Sequence, residues 1–350
     1  MFFRMRGFAG TKLLLVVLAA VLAVGCARAK KAEQGQSLNF SAGGELRPVA
    51  AGQPLFSGRE ADRVFLKLDP FLSSRDLMMV DFAGGLDQGC QPLSRPEVLR
   101  WSPEWLPLIS RANLKVLNLA DDHALDCGRE ALNQAVNLML GQGFYLVGAG
   151  RGQKEATAPV YLTRKGVTIS LVSFLLEEPP GIEKCESCTG PSLYDRQALI
   201  NAFAEMKNRA QYQILVLHFR ERELPALTED ELAIVREGID FGADLILGFG
   251  PGSAGGLYRI RGRWVIGSLG RLTGDAEESG FKAVDGLLLS AEFSADQIMN
   301  LRVCALDLDN GRPRLLRSEE GEAALTKLVS GADTEVRDNV KLIGDILYLK

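Results

Sequence analysis

From residue 38 to residue 268, short runs of valine, isoleucine and leucine alternate with longer amphipathic segments. This alternation constrains the chain most. Apolar runs without a polar face suit strands buried on both sides, and amphipathic segments suit the helices that cover them, so the fold class is α/β. Strands are predicted at Leu38–Ala42, Leu77–Phe82, Lys115–Ala120, Phe144–Gly148, Val167–Phe174, Gln213–Phe219, Asp244–Phe249 and Trp264–Ser268. Helices are predicted at Glu60–Leu72, Pro103–Ala112, Cys127–Gly141, Leu193–Ala210 and Glu229–Phe241. In the last of these, Leu232, Val235 and Ile239 share one stripe, and Thr228 with Glu231 has the spacing of a capping box. Leu287–Phe293 and Ile298–Leu306 read as a hairpin, residues 319–331 as a helix, and Val340–Leu349 as a weak strand or docking segment. Glu177–Pro191, rich in proline and glycine, reads as a long loop.

Composition narrows the chemistry. The 350 residues are 47% hydrophobic and 24% charged, enough for a buried core and incompatible with wholesale disorder. The net charge of −4 argues against a nucleic-acid partner. Only two histidines are present, His123 and His218. A histidine-rich metal site is excluded, and any metal chemistry must lean on carboxylates.

Residues 1–25 read as an address. Arg4, Arg6 and Lys12 precede the apolar run Leu13–Val24, which is too short for a stable membrane span and suits a signal segment. The run ends Ala23-Val24-Gly25-Cys26, which resembles the lipobox of bacterial lipoproteins, although leucine stands one position early at Leu22. That resemblance implies lipidation of Cys26, attachment to the membrane through it, and, with Ala27 following, an outer-membrane protein facing the periplasm. Residues 26–37 then form a polar tether. Losing residues 1–25 would take the formal charge from −4 to −7, which disfavours polyanion binding by bulk charge. Export makes disulfides plausible among Cys90, Cys127, Cys185, Cys188 and Cys304, with one thiol left over. Cys185 and Cys188 are expected to staple their loop, since no second pair or nearby histidine completes a zinc site. Cys90 and Cys127 flank site motifs and can pair.

Motifs from Leu38 to Gly274 resemble the CapA/PgsA family of bacterial proteins linked to poly-γ-glutamate and capsule synthesis. Asp76–Leu86 (DLMMVDFAGGL) is similar to the family's D-L-V-V-V-N-L-E-G-x-L, Pro103–Leu108 (PEWLPL) to P-E-W-x-x-x-L, and Asn118–Gly128 (NLADDHALDCG) to N-x-A-N-N-H-A-L-D-Y-G. Gly143–Arg151, His218–Arg222 (HFRER), Ala243–Gly252 (ADLILGFGPG) and Ile266–Arg271 (IGSLGR) follow in the family's order. The resemblance implies a calcineurin-like metallophosphoesterase-type αββα sandwich over residues 38–310, with residues 311–350 as an extension packed on it. It also implies a role in capsule, poly-γ-glutamate or exopolysaccharide biosynthesis. The expected partners are an anionic polymer or capsule-assembly proteins.

The departures fall on the site, which in the family gathers Asp, Glu, Asn and His around one or two divalent ions. Its opening Gly-Asp is matched by Gly43-Gly44, its Glu by Ala83, and its later histidines by Phe249, Gly250 and Gly252. Asp81, Asp121, Asp122, His123 and His218 remain as a possible metal set, with His123 and His218 as candidate catalytic groups. Arg222 and Arg271 bring positive charge where the family has ligands. A guanidinium paired with Asp81 or Asp121 would hold the cluster together without an ion, or would bind a carboxylate ligand. The expectation is therefore a member whose divalent metal and catalysis are lost or reduced. The alternative is a metal-dependent phosphoesterase or amide hydrolase with a rebuilt Asp/His site, and a purely structural lipoprotein is a third possibility. Two blander readings stand beside these: Asp122 or Asp126 capping the following helix, and the glycine-rich Gly248–Gly256 as a remnant loop rather than an anion nest.

Overall fold

The parallel strands form where the sequence alternates buried faces. In Leu77–Phe82 all six residues are buried, with Met79 facing one hydrophobic cluster and Met78, Val80 and Phe82 facing another. Such a strand needs cover on both sides, and the fold supplies it. The computed structural model describes residues 37–50, 53–179, 185–220, 222, 225–275 and 284–350. The expected signal segment, Cys26 and the expected tether up to residue 36 lie outside the described residues.

In chain order the main strands are β1 (Leu38–Leu46), β2 (Leu77–Phe82), β3 (Leu114–Asn118), β4 (Tyr145–Val147), β5 (Val160–Arg164), β6 (Val167–Leu175), β7 (Tyr212–His218), β8 (Leu245–Phe249), β9 (Gly255–Ile260), β10 (Arg263–Ser268), β11 (Gly286–Phe293), β12 (Ile298–Asp309), β13 (Arg312–Leu315), β14 (Val340–Ile343) and β15 (Ile346–Leu349). The main helices are α1 (Leu106–Arg111), α2 (Gly128–Gly141), α3 (Arg196–Met206), α4 (Glu229–Phe241), α5 (Ser318–Ser330) and α6 (Thr334–Asp338). One sheet runs β14-β15-β12-β11-β1-β2-β3-β4, with β13 paired to β12; the other runs β5-β6-β7-β8-β10-β9. Strands β1 to β4 are mutually parallel, as are β6, β7, β8 and β10.

The inner faces of the two sheets share one core, with Phe40, Met79, Val116 and Leu289 from the first and Ile169, Val216, Leu247 and Ile266 from the second. The outer face of the first sheet packs on α1 and α2 through Leu106, Ile109, Ala135 and Met139. That of the second packs on α3 and α4 through Leu199, Phe203, Met206 and Val235. This is the four-layer αββα sandwich that the family resemblance implies.

The α4 boundary follows its sequence signals: Thr228 accepts from the Glu231 amide and Glu231 reaches back to the Thr228 amide. Such a cap contributes about 1 kcal/mol. Elsewhere the structure departs from expectation. Glu60–Leu72 is not one helix but two 3-10 turns, Gly58–Arg63 and Leu66–Leu68, followed by the single turn Asp69–Leu72. Pro70 cannot donate a helical hydrogen bond, so the apolar spacing of Val64, Leu68 and Leu72 is buried without a continuous helix. Residues 311–350 also do more than pack on a finished domain. β13 and β15 both pair with β12, so this segment extends the first sheet, and Leu38–Lys350 forms one compact unit. The expected Cys185–Cys188 disulfide is present, and Cys90 and Cys127, whose pairing the sequence leaves open, are also joined. Cys304 in β12 is buried as a free thiol.

Candidate metal centre

Parallel strands place their carboxyl ends on one edge, and ligands gather there. Asp81 is near the end of β2, Asn118 ends β3 and leads into the turn bearing Asp121, Asp122 and His123, and His218 ends β7. The two sheets thus bring together three segments that are distant in sequence, those of Asp81, Asp121–His123 and His218. His218 Nε2 lies 3.1 Å from Asp121 Oδ2, 3.4 Å from Asp81 Oδ2 and 3.8 Å from Asp122 Oδ1. Asp81, Asp121 and His218 each offer a ligand atom within 4.8 Å of the others.

The hydrogen bonds leave this cluster incomplete. Asp81 Oδ1 accepts from Asn118 Nδ2 at 2.7 Å, and Asp121 Oδ1 accepts from the His123 amide at 2.8 Å. The other oxygens, Asp81 Oδ2 and Asp121 Oδ2, are buried without a hydrogen-bond partner, as is His218 Nδ1. Unpartnered buried carboxylate oxygens are costly, and two of them facing an imidazole suit a divalent cation. Burial and the neighbouring Asp121 push the Asp81 carboxyl well above its usual range, and burial likewise raises Asp121. Burial also works to lower the pKa of His218, but Asp121, Asp81 and Asp122 outweigh it and raise it to about 10. Without a metal, the imidazolium is the counter-charge that this acidic pocket requires.

Beside the cluster sits a histidine–aspartate pair. His123 Nδ1 is 2.7 Å from Asp126 Oδ2, and a carboxylate there makes Nδ1 the donor. Burial opposes protonation of His123, yet Asp126, Asp122 and Asp121 raise its pKa to about 9. Its Nε2 lies 3.9 Å from Asp122 Oδ2. Asp122 is the open side of the site, with 23% of its side chain exposed where Asp81 and Asp121 have none. Burial works against ionised Asp122, but His218, His123 and Arg95 hold its carboxyl below the ordinary value.

Two arginines expected near these acids are placed elsewhere. Arg222 makes a two-pronged pair with Glu231 at 2.7 and 2.8 Å and donates to the Ala226 carbonyl, closing the start of α4. Arg271 pairs with Glu45, Nε to Oε2 at 3.9 Å, rather than with Asp81 or Asp121, and donates to the Asp275 carbonyl. Glu45 is a residue that the motifs miss, because matching the family's opening Gly-Asp to Gly43-Gly44 stops one position short of it. It is nevertheless the β1 partner of Asp81 across the sheet, and Arg47 lies 3.5 Å from its other oxygen. The acidic position beside Asp81 is thus retained but neutralised by guanidinium groups.

Asp126 and Asn118 also carry more than the sequence suggests. Asp126 reads in the sequence only as a cap, but the α2 N-terminus begins at Cys127 with no side-chain cap. Its three-residue spacing from His123 is the available signal. Four glycines of Gly248–Gly256, namely Gly248, Gly250, Gly255 and Gly256, stand where a Cβ would meet a neighbouring atom closer than 3.0 Å. Gly250 has φ +107°, and a Cβ there would overlap the Phe219 carbonyl oxygen.

Buried oxygen and imidazole ligands at the carboxyl ends of parallel strands define a candidate divalent-cation centre in an αββα sandwich. The chain belongs to the family described as bacterial capsule synthesis protein PGA_cap, whose model matches residues 29–275. It is 21% identical over 262 residues to the PGA biosynthesis protein CapA of Bacillus subtilis (strain 168), covering 74% of this chain and 68% of that protein. It is 20% identical over 296 residues to the capsule biosynthesis protein CapA of Bacillus anthracis, covering 82% and 72%. Similar solved structures include a 5'-nucleotidase precursor from Thermus thermophilus, with TM-score 0.45, 11% identity and 87% of this chain against 60% of that one. Another is the NAD nucleotidase NadN of Haemophilus influenzae, with TM-score 0.42, 14% identity and coverage of 84% and 63%.

Proposed function

We propose that this protein handles an extracellular anionic polymer, of the poly-γ-glutamate or capsular polysaccharide kind, through a cation-dependent hydrolytic site. The observation that carries this reading is the pair of buried oxygens, Asp81 Oδ2 and Asp121 Oδ2, whose shared polar neighbour is His218. These three residues, with Asp122 alongside, would hold one divalent cation. Such a cation supplies Lewis acidity toward an ester or amide oxygen. Asn118 fixes Asp81, and the His123 amide fixes Asp121. Asp126 holds His123 with Nδ1 as donor, leaving Nε2 to give its proton to a departing oxygen or nitrogen near Asp122. The family membership supports the polymer class, and the geometry supports the reaction class.

One observation favours a second reading, binding with little or no turnover. Glu45, beside Asp81, is matched by Arg47 and Arg271 and is no longer free for a second cation. Metal content of the purified protein, together with hydrolysis of generic phosphoesters and γ-glutamyl amides, separates the two. A stoichiometric cation with turnover supports the hydrolase, whereas absence of turnover, with or without a cation, overturns it in favour of the binding protein. We also propose that Cys26 carries the lipid that attaches the chain to the outer membrane. Cys26→Ser is expected to release the protein from the membrane fraction and abolish labelling by radioactive palmitate, and a variant still labelled would refute the assignment.

A further inference from the structure

Residues 90–99 contain neither helix nor strand, yet they are bonded along their length to the turn that carries His123 and Asp126. The Cys90–Cys127 disulfide fastens one end. The Gln91 amide donates to the Cys127 carbonyl at 3.1 Å, the Leu93 amide to the Asp126 carbonyl at 3.0 Å, and the Leu99 amide to Asp126 Oδ2 at 2.7 Å. Between them Arg95 points inward, with 12% of its side chain exposed. Its Nη1 donates to the Asp122 carbonyl at 2.8 Å and to Asp126 Oδ1 at 3.0 Å, and its Nη2 donates to Asp122 Oδ2 at 3.1 Å.

These bonds divide the acceptors between two tasks. Asp126 is wholly buried, and both of its oxygens are assigned: Oδ1 to Arg95, Oδ2 to the Leu99 amide and His123 Nδ1. The carboxylate cannot turn away from His123 without breaking one of them. On Asp122, Arg95 occupies Oδ2 and so leaves Oδ1 toward His218. We propose that Arg95 is a positioning residue that couples the two halves of the site. One guanidinium holds Asp126 behind His123 and leaves the other oxygen of Asp122 toward His218, while the disulfide keeps the arginine's segment in place. The proposal deepens the hydrolytic reading above and rests on it for its purpose, but not for its geometry. The three acceptors are reached from two nitrogens held in one plane, whereas lysine carries its three donors on a single nitrogen and is not an equivalent.

The test uses the full-length protein labelled with 15N-histidine, in which only two imidazoles contribute signals. In the wild type, the His123 Nδ1 proton, hydrogen-bonded to buried Asp126, is expected to give a slowly exchanging downfield resonance. Arg95→Lys is expected to lose that resonance and to weaken Mn2+ binding, measured by calorimetry, roughly tenfold, the low end for partners behind a ligand. Arg222→Lys, at a guanidinium pair away from the cluster, is expected to change neither. A clamp with a merely structural role would lower the melting temperature and leave the imidazole resonance in place. Persistence of that resonance in Arg95→Lys would overturn the proposal. A lost resonance with unchanged Mn2+ affinity would overturn the coupling between the halves. If neither wild type nor variant binds Mn2+, the cation reading fails, and the imidazole resonance still decides the role of Arg95. Should Arg95→Lys fail to fold, Arg95→Gln, which keeps a planar donor, answers the same question.

Discussion

Asp121→Asn is expected to weaken divalent-cation binding roughly a hundredfold or more, because partners one step removed from a metal already cost about 10–100-fold. The substitution is local by design. Asparagine can keep the acceptor for the His123 amide while its second group, an NH2, replaces the oxygen that faces His218 at 3.1 Å. In the metal-free protein it removes one of two carboxylates that oppose each other's ionisation, since the charge of Asp121 adds to burial in raising Asp81. The metal-free variant is therefore expected to stay folded. Its distinguishing loss is the gain on adding cation. At a hundred times its dissociation constant, a ligand adds about 2.7 kcal/mol to the stability of the wild type, whereas a variant weakened a hundredfold gains only about 0.4 kcal/mol at that concentration. Parallel thermal melts with and without Mn2+ read the difference. Equal upward shifts in both proteins would show that the cation binds elsewhere.

Gly250→Ala is expected to destabilise the domain by about 3 kcal/mol or more, through two separate costs. Its φ of +107° lies in the region that side-chain-bearing residues avoid. The added Cβ would also run into the Phe219 carbonyl oxygen, a main-chain atom that cannot rotate away. Phe219 follows His218 directly, and its amide is bonded to the Phe249 carbonyl at 2.9 Å, so yielding there moves the end of β7. The same variant should thus lose cation affinity together with stability. Chemical denaturation reports the first effect and calorimetric titration the second. A variant as stable as the wild type would show that the loop adopts another path.

The parallel strands are legible in the sequence because each is buried on both faces, so their apolar runs are uninterrupted. β2 and α4 begin and end where the sequence places them. The strands that sequence patterning misses, β5, β9 and β13, lie at sheet edges or pair on one side only, and several of their residues are partly exposed. Their composition carries no such run. The cluster Asp81, Asp121, Asp122, His123 and His218 is legible through motif order, because each residue lies at or just beyond the end of a strand whose position is fixed. Its supporting residues are less visible. Glu45 escapes because a one-residue choice in aligning Gly43-Gly44 hides it. Arg95 escapes because an irregular segment brings it in, and no spacing along the chain encodes that path. The destinations of Arg222 and Arg271 depend on Glu231 and Glu45, which reach them through tertiary packing alone.

Cys304 gives the fold an internal clock. Its thiol sits within β12, 6% exposed, on a strand that pairs with β11, β13 and β15, and burial holds its pKa up, so both access and thiolate are withheld while the sheet is closed. Alkylation at this one position therefore counts the openings of the sheet edge that residues 311–350 complete. Where reclosing outruns the reagent, the rate measures the free energy of that opening without denaturant.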